Sequence, residues 1–108
     1  MKTVYNKNLE ILNERRRLRS AATLLNYYID NVDAWNAGKF TKDDLARKFN
    51  VTSRTVANWI YALVEAQVIK YKYSGATRLN PKIYYDGTRE NYEKAISEYD
   101  AFRGDVQR

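Results

Sequence analysis

The side chains best suited to acid–base, thiolate or metal chemistry are missing from this chain. None of its 108 residues is His or Cys, which removes the usual neutral-pH base, the thiolate nucleophile and the commonest zinc ligands. Asp43 and Asp44 are neighbours on a helix and cannot converge as a carboxylate pair; a place at the helix start suits them better. The four glycines are scattered and form no phosphate-cradling loop. The expectation is therefore no enzyme, no cofactor and no metal. What remains is hydrogen-bonding and charge: Ser53, Arg54, Thr55, Asn58 and Tyr61 close together, then Lys70, Lys72, Arg78 and Lys82. Arg and Asn offer two-point hydrogen bonding and Lys a point charge.

Charge is unevenly spread. The chain carries 19 Lys and Arg against 13 Asp and Glu, a formal net charge of +6, and a pI near 9.5. Residues 1–20 hold six basic and two acidic groups, and residues 39–82 hold nine and three. The stretches 21–38 and 83–108 are each net −2. Such a distribution favours a polyanionic partner. No apolar run approaches the roughly 20 residues that span a bilayer. The opening residues lack the apolar stretch of a signal peptide, and the absence of cysteine fits a reducing compartment. A cytoplasmic location without a membrane partner is expected.

These side chains need elements to hold them. At 108 residues with 44% hydrophobic content, one core and a single domain over the whole chain are expected. Its expected divisions are a basic helix or arm at 1–19, a core at 20–87 and a terminal helix at 88–108. Between Asn6 and Asn36, apolar residues recur at three- and four-residue spacings through Leu24, Leu25, Tyr28, Ile29, Val32 and Trp35. This predicts one helix, or two divided near Ser20, ended by Gly38. Thr41 with Asp44 predicts a helix start, Leu45, Ala46 and Phe49 its buried face, and Asn50 its stop.

Val51 then plugs a turn, and Thr52 caps a third helix that buries Val56, Ile60, Leu63 and Val64. Ser53, Arg54, Thr55, Asn58 and Tyr61 are left outward. After Gln67 the period becomes two, with Ile69, Tyr71 and Tyr73 on one side and Lys70 and Lys72 on the other. A loop at 74–81 and a return strand at 82–85 complete the predicted hairpin. A last helix from about Arg89 carries Tyr92, Ala95, Ile96, Tyr99 and Phe102 on one stripe. The tyrosines at 27, 28, 71, 73, 84 and 85 are read as packing groups, and Trp35 and Trp59 as core anchors.

Two short helices joined by a tight turn, followed by a basic hairpin, resemble the winged helix-turn-helix family over residues 24–85. The stretch FTKDDLARKFNVTSRTV at 40–56 looks like its positioning helix, turn and recognition-helix start, and LVEAQVI at 63–69 like its exit into the wing. Gln67 departs from the family, which usually has Gly there; a positive φ at Gln67 implies strain of about 1 kcal/mol. The resemblance implies a mainly α fold with a small hairpin and extra terminal helices. It further implies that Thr52, Ser53, Arg54, Thr55, Asn58 and Tyr61 enter the DNA major groove, with Arg54 on guanine and Asn58 on adenine. Lys70, Lys72, Arg78 and Lys82 of the wing would meet the backbone or minor groove, and Thr41 and Lys42 phosphates. Arg15, Arg16, Arg17 and Arg19 are either a solvated helix face or a phosphate-contacting arm.

A homodimer through the terminal helices, matching two half-sites on double-stranded DNA, is the expected assembly. On frequency of use alone, a transcriptional regulator leads. The wing's Asn80-Pro81-Lys82-Ile83-Tyr84 is similar to wings in regulators and replication proteins of phages and plasmids; the alternatives are a plasmid or phage partition or replication-origin protein, and a protein-interaction module that no longer reads DNA.

Overall fold

Threonines start three of the helices in this chain. The computed structural model describes residues 3–4 and 16–105. Its elements are strand β1 (Thr3–Val4), helix α1 (Arg16–Asn31), strand β2 (Ala37–Lys39), helices α2 (Lys42–Phe49) and α3 (Ser53–Glu65), strands β3 (Ile69–Tyr71), β4 (Ala76–Leu79) and β5 (Tyr84–Tyr85), and helix α4 (Arg89–Ala101). The hydroxyls of Thr41, Thr52 and Thr88 accept the backbone N–H of Asp44, Thr55 and Asn91 at 3.2, 3.1 and 3.2 Å. Each satisfies a first-turn donor that has no partner inside its helix. The caps at Thr41 and Thr52 were legible in sequence, whereas Thr88 reads there only as the end of a turn.

Helix α1 runs unbroken through Ser20 and ends at Asn31, not at Gly38. The left-handed residue after it is Asn36, with φ 57°. Its buried amide donates to the carbonyls of Leu79 at 3.2 Å and Tyr84 at 2.7 Å. Asn36 thus spends its polar side chain tying the α1 exit to the ends of β4 and β5. Gly38 lies in β2, where an added Cβ would stand 2.3 Å from the Phe40 ring; close approach rather than helix termination explains it. Asn50 does stop α2, with φ 54°, and Val51 donates to Ala46 O at 3.0 Å. Residues 50–52 therefore form a tight turn between α2 and α3, with Val51 half-buried against the core.

The sheet differs from the expected hairpin in two ways. Its strand order is β2-β4-β3, all antiparallel, with Gly38 opposite Thr77 and Lys70 opposite Arg78. The return strand is Ala76–Leu79, not 82–85, because Gly75 at φ 98° turns the chain immediately after Lys72, Tyr73 and Ser74. Residues 80–83 form a second turn, in which the Asn80 carboxamide oxygen accepts the Lys82 N–H at 2.9 Å. Tyr84 and Tyr85 leave this sheet and pair with Val4 and Thr3. The architecture is accordingly mixed, four helices with a small three-stranded antiparallel sheet among the described residues, rather than mainly α with one hairpin.

One core joins these elements: Leu24, Leu25 and Tyr28 of α1, Leu45 of α2, Val56, Ile60 and Leu63 of α3, and Val68, Ile69, Tyr71 and Leu79 around the sheet. Each of the aliphatic side chains contributes about 1.5–3 kcal/mol by leaving water. Trp59 is half-buried with its ring edge-on to Phe49 at 5.9 Å, and Trp35 is half-buried beneath the Lys94 ammonium at 4.9 Å. Both tryptophans thus lie at the core's margin rather than at its centre. In α4, Ala95 and Tyr99 are buried but stand outside this core cluster.

Candidate nucleic-acid interface

The outward face of α3 sorts into tied and untied side chains. Thr52 and Thr55 place their hydroxyls 3.0 Å apart, while Thr52 also caps the helix. Ser53 donates its hydroxyl to Asp43 of α2 at 3.1 Å. These three polar groups serve the helix start and the α2–α3 joint. Arg54, Asn58 and Tyr61 are exposed, Tyr61 by 45%, and make no hydrogen bond or ion pair with the described residues. Their spacing of four and three residues puts them on one face along about 10 Å of helix. Inward from them, Val56, Ile60 and Leu63 lock α3 in the core, so the outer face is presented by a rigid element.

Beside this face stand the start of α2 and the tip of the β3–β4 hairpin. The Phe40 N–H donates to Gly75 O at 2.8 Å, and a Cβ at Gly75 would come within 3.0 Å of Thr41 N. That contact holds the tip against α2, leaving Tyr73 69% exposed with the Lys42 ammonium 5.1 Å from its ring centre. Period two had turned Tyr73 inward with Ile69 and Tyr71, but β3 ends at Tyr71 and the alternation ends with it. The Ser74-Gly75 pair was the available signal. Thr41 is occupied as a cap. Arg47 is engaged with Asp44, and Lys48 lies exposed, 5.9 Å from the Tyr27 ring.

The flank of the hairpin is placed differently from the expected wing. Lys70, Lys72 and Arg78 do share the outer side of the sheet, yet all three face the C-terminal segment. Lys70 Nζ donates to Tyr99 O at 2.8 Å and lies 4.5 Å from the Tyr99 ring centre. Lys72 and Arg78 lie 4.9 and 5.1 Å from the Phe102 ring, and Arg78 reaches Glu98 at 3.7 Å. Burial pushes the Tyr99 phenol up to about 12, with the Asp100 carboxylate adding to the shift. Lys82 is exposed, but it sits in the 80–83 turn, where Asn80 bonds the carbonyls of Gln67 and Val68 near the end of α3. It is therefore removed from the hairpin tip. Arg15 lies outside the described residues; Arg16, Arg17 and Arg19 belong to α1, and their side chains lie outside the described set.

The α4 stripe is largely spent on the chain itself. Tyr92 meets the Tyr85 ring at 5.4 Å, Ala95 and Tyr99 are buried, and Ile96 and Phe102 are half-buried. Among the described residues no group of three or more His, Cys, Asp or Glu is arranged to hold a metal ion. No described helix is long and apolar enough to cross a membrane.

Compared with known proteins, residues 8–108 match the RepL family model, described as Firmicute plasmid replication protein. No curated protein and no solved structure matches the chain.

Proposed function

We propose that this chain, which belongs to the RepL family of Firmicute plasmid replication proteins, binds double-stranded DNA at a plasmid replication origin through a winged helix-turn-helix. The observation that carries the reading is the trio Arg54, Asn58 and Tyr61, unpartnered within the described chain on one face of a helix whose other face is core. A helix of this kind fits the major groove of B-form DNA. Arg54 donates two parallel hydrogen bonds to a guanine edge, Asn58 pairs with adenine, and Tyr61 meets a thymine methyl or phosphate one turn later. Lys42 and Tyr73, at the start of α2 and the hairpin tip, meet the sugar–phosphate backbone. No catalytic step is involved, and specificity comes from two copies of the chain on two half-sites.

Family membership moves origin binding ahead of transcriptional regulation, which has only the frequency of the fold in its favour. The test is nuclease protection on plasmid origin DNA and on the promoter of the replication gene, with wild type and Arg54→Ala. Protection of two half-sites about one helical turn apart within the origin is expected. Arg54→Ala should relax base preference at one position of each half-site, at a cost of about 1–3 kcal/mol. Protection confined to the promoter would favour a regulator, and none at low salt would leave a protein-interaction module.

A further inference from the structure

The hairpin carries three cations on its outer side, and the chain covers two of them with oxygen atoms of its own and the third with an aromatic ring. Lys70 Nζ meets the carbonyl oxygens of Tyr99 and Asp100 at 2.8 and 3.5 Å, and Arg78 meets the Glu98 carboxylate at 3.7 Å. Lys72 shares the Phe102 ring with Arg78. Beyond α4 the chain lies along β3, the edge strand of the sheet: the Asp105 N–H donates to Tyr71 O at 2.8 Å, and its carboxylate accepts the Tyr73 N–H at 3.0 Å. Residues 98–105 thus present one carboxylate, two carbonyls and an aromatic ring to a row of cations next to the hairpin tip. A sugar–phosphate backbone presents the same chemistry to lysine and arginine.

The cover is separable from the fold beneath it. Tyr99 and Ala95 lie outside the central core cluster, and the Arg78–Glu98 pair is partly exposed and weak. Open grooves of about 610 and 420 Å3 run between the segment and the sheet, the first beside Lys70 and Tyr99, the second beside Lys72, Arg78 and Phe102.

We propose that Lys70, Lys72 and Arg78 form a second phosphate-binding surface, which residues 98–105 occupy in competition with DNA. Uncovering the surface and binding duplex are then coupled, and each favours the other by the same factor. The inference rests on the DNA-binding reading above.

Two altered proteins test it. In the first, Phe102→Ala with Asp105→Ala removes the ring under two of the cations and the clamp on the β3 edge. In the second, Lys70→Cys with Gly104→Cys closes the cover reversibly in a chain without cysteine. A Cβ at Gly104 would stand 3.6 Å from Lys70 Cβ, inside the disulfide range, after a shift of a few tenths of an ångström away from Tyr71 O. Binding to a random-sequence duplex is measured across a salt series, with far-UV circular dichroism as the check on folding.

The opened protein should bind about tenfold tighter at low salt, its salt slope steeper by about 0.9 for each freed cation. Adding Lys72→Gln and Arg78→Gln should remove the gain. The cross-linked protein should bind weakly when oxidised and regain affinity on reduction, a comparison that sacrifices no packing. A folded opened protein with wild-type affinity and slope, or equal binding by the oxidised and reduced forms, overturns the proposal while leaving DNA binding by α3 intact. If no form binds duplex at low salt, both readings fall.

Discussion

Arg54, Asn58 and Tyr61 differ from Thr52, Ser53 and Thr55 in what their polar groups already do. A hydroxyl that caps its own helix or bridges to Asp43 has part of its bonding capacity spent, whereas the Arg54 guanidinium beside them and the Asn58 carboxamide one turn on keep theirs for a ligand. Sequence alone put all six in the groove, with Thr52 also a cap and Arg54 and Asn58 the base readers; that Ser53 is tied to Asp43 and Thr55 to Thr52 is not given by outward spacing. Gln67 shows the opposite success, because its left-handed conformation was flagged by the departure from glycine. It has φ 62°, with Val68 donating to Leu63 O at 2.9 Å and its own carbonyl held by Asn80 at 2.8 Å. Gln67 is exposed, so Gln67→Gly loses no packing and relieves backbone strain. It should raise unfolding free energy by about 1 kcal/mol in urea titration; a decrease would show that side-chain contacts outweigh the strain.

Among the elements, α2 and α3 behaved as periodicity and capping predict, and the hairpin did not. Thr52 is the hinge of that success: it starts α3 in register with Val56, Ile60 and Leu63 in the core and Arg54 and Asn58 outside. Thr52→Ala should cost about 1 kcal/mol, readable as a lower melting temperature. DNA affinity should fall with it, because the first turn that carries Arg54 frays; unchanged stability would deny the cap its role. The hairpin misled because Lys82-Ile83-Tyr84-Tyr85 looks as strand-like as Ala76-Thr77-Arg78-Leu79. The choice between them depends on the Gly75 turn and on pairing with β2, a three-residue strand hidden inside what reads as a helix end. Helix α4 was legible as amphipathic, but not that its stripe closes over the chain's own cations.

For the whole molecule, the many tyrosines are a liability at high pH. Burial raises the phenol of Tyr99 from 10.0 to about 12 and raises that of Tyr71 as well, and Tyr28 is driven further up by burial. A folded pKa above the unfolded one means that the neutral phenol is the form favoured by folding. Its contribution is complete below pH 10.0 and is lost as pH climbs through the folded value, about 12 for Tyr99. Unfolding should therefore set in over that interval, with phenolate absorbance rising together with loss of far-UV signal. Tyr99→Phe should make the decline shallower. A decline identical in wild type and Tyr99→Phe would contradict the burial assigned to Tyr99.

What the sequence determined by itself is whatever depends on neighbours a few residues apart: the caps at Thr41 and Thr52, the stop at Asn50, the strain at Gln67, and the two faces of α3. What only the tertiary structure decided depends on residues far apart in the chain. Asn36 finds its partners at Leu79 and Tyr84, β2 pairs with β4, Tyr73 stands out beside Lys42, and Lys70, Lys72 and Arg78 meet Glu98, Tyr99 and Phe102. Period and capping act through bonds within one or two helical turns and can be read from a single stretch. Which exposed cation meets its own chain and which is left to a ligand is settled when distant segments close on one another.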